Sequence, residues 1–241
     1  MKNDLVVQSN KLVEAHYKQR YTAQEQRMVL WIISEIHKED YFKAGKYEYK
    51  KITISAQKYA ELMGITVDDV YKRAKIIGRH LMQKVIEINT DDKGWQLFNW
   101  MTSIEYKNGV IEAGISPVLM PYIVDLKEKF TAFKLENILY LRSSHAIKIY
   151  QILAQYKQIG EREITVHDIK SLLGITHQKT YKLFAKIKSK ILEISKREIN
   201  AKTDLIISYS PIKQSRKVVS IKFKITPKPS QAAQAKKEFE K

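Results

Sequence analysis

The sequence contains no cysteine and no long apolar run. The lack of cysteine excludes disulfides, thiolate zinc sites and cysteine nucleophiles, and it suits a reducing cytoplasm. No stretch approaches the roughly 18 consecutive apolar residues that a membrane-spanning helix needs. The first residues include Asp4 and lead into polar sequence, so they do not resemble a signal peptide. We therefore expect a soluble cytoplasmic protein that does not enter a membrane.

Motifs of the common enzyme classes are also missing. The six histidines are scattered, with no His-x-His pair to hold a metal beside a tyrosine nucleophile, as a nicking enzyme needs. Gly109 and Gly114 have the spacing of a phosphate-binding loop, but Ile115 stands where that motif requires lysine. No Gly-x-Ser-x-Gly or His-Glu-x-x-His motif occurs. We predict no catalytic residue, no cofactor and no metal; a nuclease or primase with an unrecognised site is the remote alternative.

Positive charge is in large excess. The 43 Lys and Arg residues against 26 Asp and Glu give a formal net charge of +17. The hydrophobic content of 44% is that of a folded chain rather than a disordered one. A folded protein with this surplus attracts polyanions, of which nucleic acid is the commonest large one. An anionic membrane surface is the alternative, and the lack of apolar runs disfavours it.

An internal repeat organises the chain. Residues 54–66, Ile-Ser-Ala-Gln-Lys-Tyr-Ala-Glu-Leu-Met-Gly-Ile-Thr, match residues 164–176, Ile-Thr-Val-His-Asp-Ile-Lys-Ser-Leu-Leu-Gly-Ile-Thr, in the same order. An amphipathic helix is predicted before each copy, and Thr22 with Glu25 forms a capping box at the start of the first. The apolar stripes of these helices are Val29, Ile32, Ile33 and Ile36, and Ile149, Ile152, Leu153 and Tyr156. The repeat indicates a duplicated domain.

Each copy has the pattern of a helix-turn-helix. A short β-type segment leads into a helix that Ser55 or Thr165 caps. Gly64 or Gly174 then stands where the end of a helix needs a positive φ. The threonine two residues later is a natural cap for a third helix. A helix, a short turn with glycine and a second helix together form the helix-turn-helix signature.

The segments that follow each helix-turn-helix are rich in β-forming residues. They cover 85–89, 95–106 and 110–115 in the first copy, and 205–209 and 218–225 with a loop at 210–217 in the second. Between the copies, residues 117–141 predict a short helix and a strand-like connector. We predict an α+β fold of two tandem winged-helix domains (helix-turn-helix plus β-hairpin) related by internal duplication. The expected boundaries are 1–124, 125–226 and a disordered tail at 227–241.

The third helix of the second copy is the best candidate for reading duplex DNA, because this helix of the motif enters the major groove. We predict it over 176–194, anchored by Phe184, Ile187, Ile191 and Ile194. Donors and acceptors for base edges stand at its start and lysines follow on one face: His177, Gln178, Lys179, Lys182, Lys186 and Lys190. The hairpin loop adds phosphate ligands: Lys213, Gln214, Arg216 and Lys217. The alternative is that the lysines merely form a solvated helix face.

The first copy offers a weaker DNA surface. Its third helix carries Lys72, Lys75 and Arg79, but it begins with Asp68 and Asp69, which repel phosphates. These acids also fit the positive end of the helix dipole, and Asp69 could complete a capping box with the threonine before it. We expect this copy to bind DNA less closely or to serve in self-association. Tyr71 and Tyr181, at equivalent positions, are expected to pack beneath their helices.

The chain resembles the replication initiator (Rep) proteins of plasmids that carry iterons, which are repeated initiator sites at the origin. The likeness is carried by Val6-Val-Gln-Ser-Asn-Lys-Leu-Val-Glu-Ala15, by Thr22-Ala-Gln-Glu-Gln-Arg-Met-Val-Leu-Trp31 and by Leu141-Arg-Ser-Ser-His-Ala-Ile-Lys-Ile-Tyr150. The match extends over nearly the whole chain, from Asp4 to Ile225.

This resemblance implies that monomers bind direct repeats in double-stranded DNA, with the C-terminal winged helix as the main reader. It also implies opening of an AT-rich region, recruitment of host initiator and helicase proteins, and control of plasmid copy number. Dimers formed through the N-terminal winged helix would repress the protein's own gene at an inverted repeat. The DNA-binding positions implied are the helix that starts at Thr176, the loop 213–217, and Lys72, Lys75 and Arg79. A winged-helix transcription regulator with one palindromic operator is the main alternative.

Overall fold

The computed structural model describes residues 5–17, 19–36, 42–43, 46–47, 51–89, 93–124, 126 and 129–229. The predicted tail therefore lies outside the described residues from 230 onward. The helices are α1 (Asn10–Val13), α2 (Ala23–Ser34), α3 (Ala56–Met63), α4 (Val70–Gln83), α5 (Glu136–Leu139), α6 (Ser144–Ala154), α7 (Val166–Leu172), α8 (Phe184–Ile187) and α9 (Glu193–Lys202). The strands are β1 (Leu5–Ser9), β2 (His16–Tyr17), β3 (Phe42–Lys43), β4 (Lys46–Tyr47), β5 (Lys51–Ser55), β6 (Val85–Asn89), β7 (Trp95–Asn99), β8 (Met101–Lys107), β9 (Val110–Ile115), β10 (Phe130–Lys134), β11 (Glu161–Thr165), β12 (Leu205–Gln214) and β13 (Lys217–Pro227).

The first unit contains α2, the helix-turn-helix α3–α4 and two small sheets. The predicted capping box is present, since Thr22 and Glu25 each bond to the other's backbone at the start of α2. Gly64 ends α3 with φ of +64°, as the turn requires. The predicted single stretch 95–106 is wrong: it divides at buried Trp100 into β7, which pairs with β6, and β8, which pairs with β9. The two halves thus serve the sheet orders β2-β6-β7 and β5-β9-β8.

The second unit repeats this plan with α6, the helix-turn-helix and the antiparallel sheet β11-β13-β12. Its hairpin is longer than predicted, because β12 and β13 run through most of 210–217 and leave only Ser215 and Arg216 as the turn. The predicted loop at 210–217 is therefore wrong. Pro211 suggests a loop, but β12 is an edge strand, where the missing proline N–H costs no ladder hydrogen bond.

The third helix of the second unit begins later than predicted. Thr176 caps no helix; Lys179–Tyr181 forms a 3-10 turn and α8 starts at Phe184. The side chain of Tyr181 is buried and packs edge-on against His145, whereas its counterpart Tyr71 is 54% exposed on a regular α4. The 3-10 turn accompanies the burial of Tyr181, so tertiary packing overrides the helical pattern here.

A π-helical turn, Lys188–Leu192, joins α8 to α9 without a break. The extra residue in this turn places both Ile191 and Leu192 in the core, with 0% and 1% of their surfaces exposed. Ile194 is left only half-buried, so the predicted buried stripe holds at Ile187 and Ile191 but not at its end. Residues 184–202 form one helix, called the third helix of the second unit below.

An N-terminal strap (residues 5–17 and 19–20) contacts both units. β1 pairs with β10, and β2 pairs with β6 of the first unit. On the second unit, His16 Nδ1 lies 2.7 Å from Ser171 Oγ of α7, and Glu14 forms a 2.7 Å ion pair with Arg162 of β11. Lys148 of α6 donates to the carbonyl oxygen of Val13 over 2.7 Å, and burial lowers the pKa of this lysine to about 7. The strap therefore holds the two units together.

Two matched glycine substitutions test this packing. Gly64 and Gly174 have nearly the same φ, +64° and +65°, so alanine is strained at both, by about 1–2 kcal/mol. A Cβ on Gly64 would meet nothing within 4 Å, but one on Gly174 would lie 2.8 Å from the backbone oxygen of Gln19 in the strap. We expect Gly174→Ala to cost a further ~1–3 kcal/mol of unfolding free energy, measured by urea denaturation. Equal losses in the two variants would contradict the close contact.

Candidate nucleic-acid interface

The third helix of the second unit presents a cationic surface on a buried apolar anchor. Ile187 and Ile191 hold the helix in the core with 0% of their surfaces exposed. The predicted lysines are all exposed, and none forms an ion pair with a described residue: Lys179, Lys182, Lys186 and Lys190. Because no acid neutralises these ammonium groups, they are available to an external anion. Lys182, Lys186 and Lys190 lie on or next to the helix, and Lys179 lies in the 3-10 turn before it.

The single acid among these lysines, Glu193, is bound within the protein. Tyr209 of β12 donates its hydroxyl to Glu193 Oε1 over 2.6 Å. Burial and this bond to the carboxylate both raise the pKa of the Tyr209 hydroxyl above its ordinary value. Asn200 adds two hydrogen bonds to the backbone of Ile207, at 3.0 and 2.7 Å. These contacts fix α9 against β12, so the third helix and the β12–β13 hairpin form one rigid piece.

The tip of the β12–β13 hairpin carries the second cationic group. The predicted residues are all exposed there: Lys213, Gln214, Arg216 and Lys217. Gln214 pairs with Lys217 at the end of the ladder, and Ser215 turns the chain with φ of +56°. A bulge follows Ile212, where the register of the pair shifts. The tip thus offers flexible cations and an amide on a short two-residue turn.

The predicted base readers at the start of the third helix are placed differently. His177 is exposed and Gln178 is half-buried, but both lie in the turn before the 3-10 segment rather than on a helix. The first turn of the helix is instead approached through Leu183, which is 67% exposed. The sequence pattern does not indicate Leu183. Its only signal is that it is apolar and lies beside Phe184, off the buried stripe.

The first unit has a mixed surface. Its predicted basic residues, Lys72, Lys75 and Arg79, are exposed on α4. Lys75 and Arg79 border a groove of about 520 Å³ between α4 and the β8–β9 hairpin, together with Tyr71 and Tyr106, whose rings meet edge to face at 5.5 Å. The expected packing of tyrosine beneath the helix is confirmed for Tyr181, whereas Tyr71 packs by one edge and stays half exposed.

The acids before α4 do not form the second capping box that the sequence allowed. Thr66 donates its hydroxyl to Asp69 Oδ2 over 3.1 Å, but its side chain accepts no backbone hydrogen bond. Asp68 and Asp69 are exposed. The negative charge therefore remains at the end of α4 that would approach DNA first, as expected for the weaker of the two surfaces.

A buried ionic network joins α4 to α2. Glu25, with 0% of its surface exposed, accepts hydrogen bonds from Lys84 Nζ, from His80 Nδ1 at 2.9 Å and from the Thr22 N–H at 2.8 Å. Burial acts to raise the pKa of Glu25, but the bonds from Lys84 and Thr22 outweigh it and hold the pKa below its usual value. Lys84 also donates to the carbonyl of Arg20 over 3.0 Å. The network thus ties the end of α4 to the strap.

Two further searches concern other classes of site. Across the described ranges, no helix is both long enough and apolar enough to cross a membrane. Within the same residues, no three or more His, Cys, Asp or Glu side chains come together in a group that could hold a metal ion.

Comparison with known proteins adds the family. Residues 5–154 match the model described as initiator replication protein, WH1, and residues 165–225 match the model described as initiator Rep protein, WH2. An Escherichia coli replication initiation protein is 23% identical over 164 residues, which are 65% of this chain and 50% of that protein. The chain thus spans about half the length of this relative. An uncharacterised 27.6 kDa protein of Escherichia coli is 24% identical over 218 residues, 85% of this chain and 88% of its own.

Among solved structures, that of the Pi initiator protein in complex with iteron DNA matches with a TM-score of 0.76. The match has 21% sequence identity and covers 95% of this chain and 100% of that one. With the two family models, this likeness confirms the predicted α+β fold of two tandem winged-helix domains and the resemblance noted in the sequence. The chain belongs to the family of initiator replication proteins built from a WH1 and a WH2 domain.

Proposed function

We propose that this protein initiates plasmid replication by binding iterons, direct repeats in the duplex DNA of the origin. The observation that carries the proposal is the cationic surface on the second unit, where the lysines of the third helix have no acidic partner among the described residues. Membership of the initiator family supports the role in replication. The Pi initiator protein, which shares the fold, was solved with iteron DNA bound, and this supports the iteron as the ligand.

In this proposal the third helix of the second unit enters the major groove and the hairpin tip grips adjacent phosphates. Lys182, Lys186 and Lys190 neutralise backbone phosphates beside the groove, and the rigid link between α9 and β12 sets the distance to Arg216 and Lys217. The protein would release about one counterion for each phosphate contact. A set of ~6–10 contacts makes affinity fall by about 10³–10⁵ between 50 and 200 mM salt.

The first unit has a different part in the proposal. It would contact DNA less closely through Lys72, Lys75 and Arg79 and would mediate dimerisation, by which the protein represses its own gene at an inverted repeat. Exposed apolar side chains on this unit support self-association: Tyr71, Ile76, Met82, Trp95 and Leu97. The corresponding division is 1–124 for this domain, 125–226 for the main DNA reader and 227–241 for a tail. The bound initiator then helps to open the origin and recruits host initiator and helicase proteins.

A DNase footprint on the DNA flanking the protein's own gene tests the proposal. We expect several evenly spaced protected repeats, because each repeat would bind one copy of the protein. A single palindromic footprint would instead favour a winged-helix transcription regulator. The absence of any protection at low salt would overturn the proposal.

No catalytic step is proposed for this protein. The same DNA, incubated with the protein, a divalent cation and nucleotides, is expected to be recovered uncut and unextended. Cleavage or nucleotide incorporation would favour the nuclease or primase alternative.

A further inference from the structure

Leu183 occupies a position where folding disfavours leucine. It is the N-cap residue of α8, with an extended backbone at φ −91° and ψ 130°, and its side chain cannot accept a capping hydrogen bond. Serine, threonine, aspartate and asparagine are strongly preferred at such positions, and leucine is among the least favoured residues. The helix therefore begins without a side-chain cap, although α2, α3, α6 and α7 all have one.

The same side chain is also left in water. Leu183 is 67% exposed, and its neighbours Lys182, Ala185 and Lys186 are exposed as well. An exposed leucine alone is ordinary. An exposed leucine at an unfavourable cap, on the cationic surface of a helix-turn-helix, breaks two local rules at one place. Such breaks are expected where a residue serves function rather than stability.

The internal repeat shows that the motif does not require leucine here. At the fixed offset of the repeat, the counterpart of Leu183 in the first unit is Arg73, which is exposed on a regular α4. The second unit thus presents a branched apolar group at the point where the first presents a guanidinium. The chemistry of the ligand, rather than the geometry of the turn, accounts for the difference.

Resting on the proposed function, we propose that Leu183 contacts the 5-methyl group of a thymine in the major groove and so makes the second unit selective for thymine at one position of its site. The thymine methyl is the apolar group that base pairs present in the major groove, where the other features are hydrogen-bond donors and acceptors. Lys182 and Lys186, on either side of Leu183, would bind phosphates and bring this edge of the base within reach.

The test uses the duplex defined by the footprint, with each thymine replaced in turn by deoxyuridine. This change removes one methyl group and keeps every hydrogen-bonding atom. For the full-length protein we expect a loss of about fourfold in affinity at one thymine and no change at the others, since burying one methyl-sized group contributes about 0.8 kcal/mol. The same deoxyuridine duplex should bind L183A no more weakly than the thymine duplex does.

Two further variants separate contact from folding. L183N supplies a favourable cap, so its urea midpoint should be at or above that of the wild type while its thymine preference is lost. Ile159→Ala removes an equally exposed apolar side chain, also 67% exposed, from the turn between α6 and β11, and should keep the full deoxyuridine effect.

The outcomes distinguish this inference from the function on which it rests. If wild-type affinity is unchanged by every deoxyuridine, or if L183A keeps the fourfold loss, Leu183 does not read a methyl group although the protein still binds its repeats. If the unmodified duplex is not bound at all, the proposed function itself fails.

Discussion

Affinity for the origin duplex is expected to fall by at least about 10²-fold at 50 mM salt when four lysines of the second unit are replaced together by glutamine. These lysines are exposed and free of ion pairs with described residues: Lys179, Lys182, Lys186 and Lys190. Each lost phosphate contact makes the dependence of log affinity on log salt shallower by about one. Four lost contacts make the ratio of wild-type to variant affinity shrink by about 10² between 50 and 200 mM salt, so the loss at the lower concentration is at least that large.

Fluorescence anisotropy at a series of salt concentrations measures both quantities, the affinity and its salt slope. The matched control removes four lysines that each form an ion pair with a described acid: Lys51, Lys58, Lys134 and Lys222. Its net charge equals that of the test variant, so general attraction to DNA is weakened equally in both. A control as weak as the test variant, with the same slope, would mean that net charge rather than the third helix determines binding.

The local features of the helix-turn-helix could be predicted because their causes are local. Ser55 and Thr165 accept backbone hydrogen bonds three residues ahead, and Gly64 and Gly174 adopt positive φ, as the repeated pattern requires. A cap or a glycine at the end of a helix acts within one turn of chain, so its residue type alone carries the information. The repeat strengthened each assignment, because the same pattern at a fixed offset selects the same local structure twice.

The start of the third helix of the second unit could not be predicted, because its cause is a contact between distant residues. Tyr181 packs against His145, which precedes it by 36 positions, and the chain accommodates this in a 3-10 turn. Tyr71, in the same sequence context, stays half exposed and its helix is regular. As a result the pattern placed His177 and Gln178 on a helix and gave no role to Leu183.

The strap was recognised in the sequence only as a stretch resembling initiator proteins. Its partners are far away along the chain: His16 meets Ser171, and the backbone of Gln19 meets Gly174. Nothing in the period or propensity of residues 5–20 indicates such partners, since these signals describe one element at a time. Only the assembled fold shows that the turn of the second helix-turn-helix rests on the N-terminal segment.

Replacing Glu25 with alanine is expected to lower the free energy of unfolding by about 3–5 kcal/mol, the usual cost of removing one partner of a buried ion pair. The variant would leave the Lys84 ammonium, 11% exposed, without its carboxylate, and α2 without its capping box. Urea denaturation at pH 7 measures the loss. Glu112→Ala is the control, because Glu112 is 43% exposed and pairs with Lys51 at the surface, a contact worth about 0–1 kcal/mol.

Acid should weaken the wild type through the same residue. The folded state lowers the pKa of Glu25, so its contribution is fully present above the ordinary value of 4.5 and is lost as pH falls through the lowered pKa. E25Q cannot ionise, and its unfolding free energy should therefore lose this part of the decline below pH 4.5. Because Lys84 and His80 lie at the end of α4 and Arg20 in the strap, loss of the carboxylate should also loosen the first unit's DNA-facing helix from the strap. If Glu25→Ala were as mild as the surface control, that coupling would be absent.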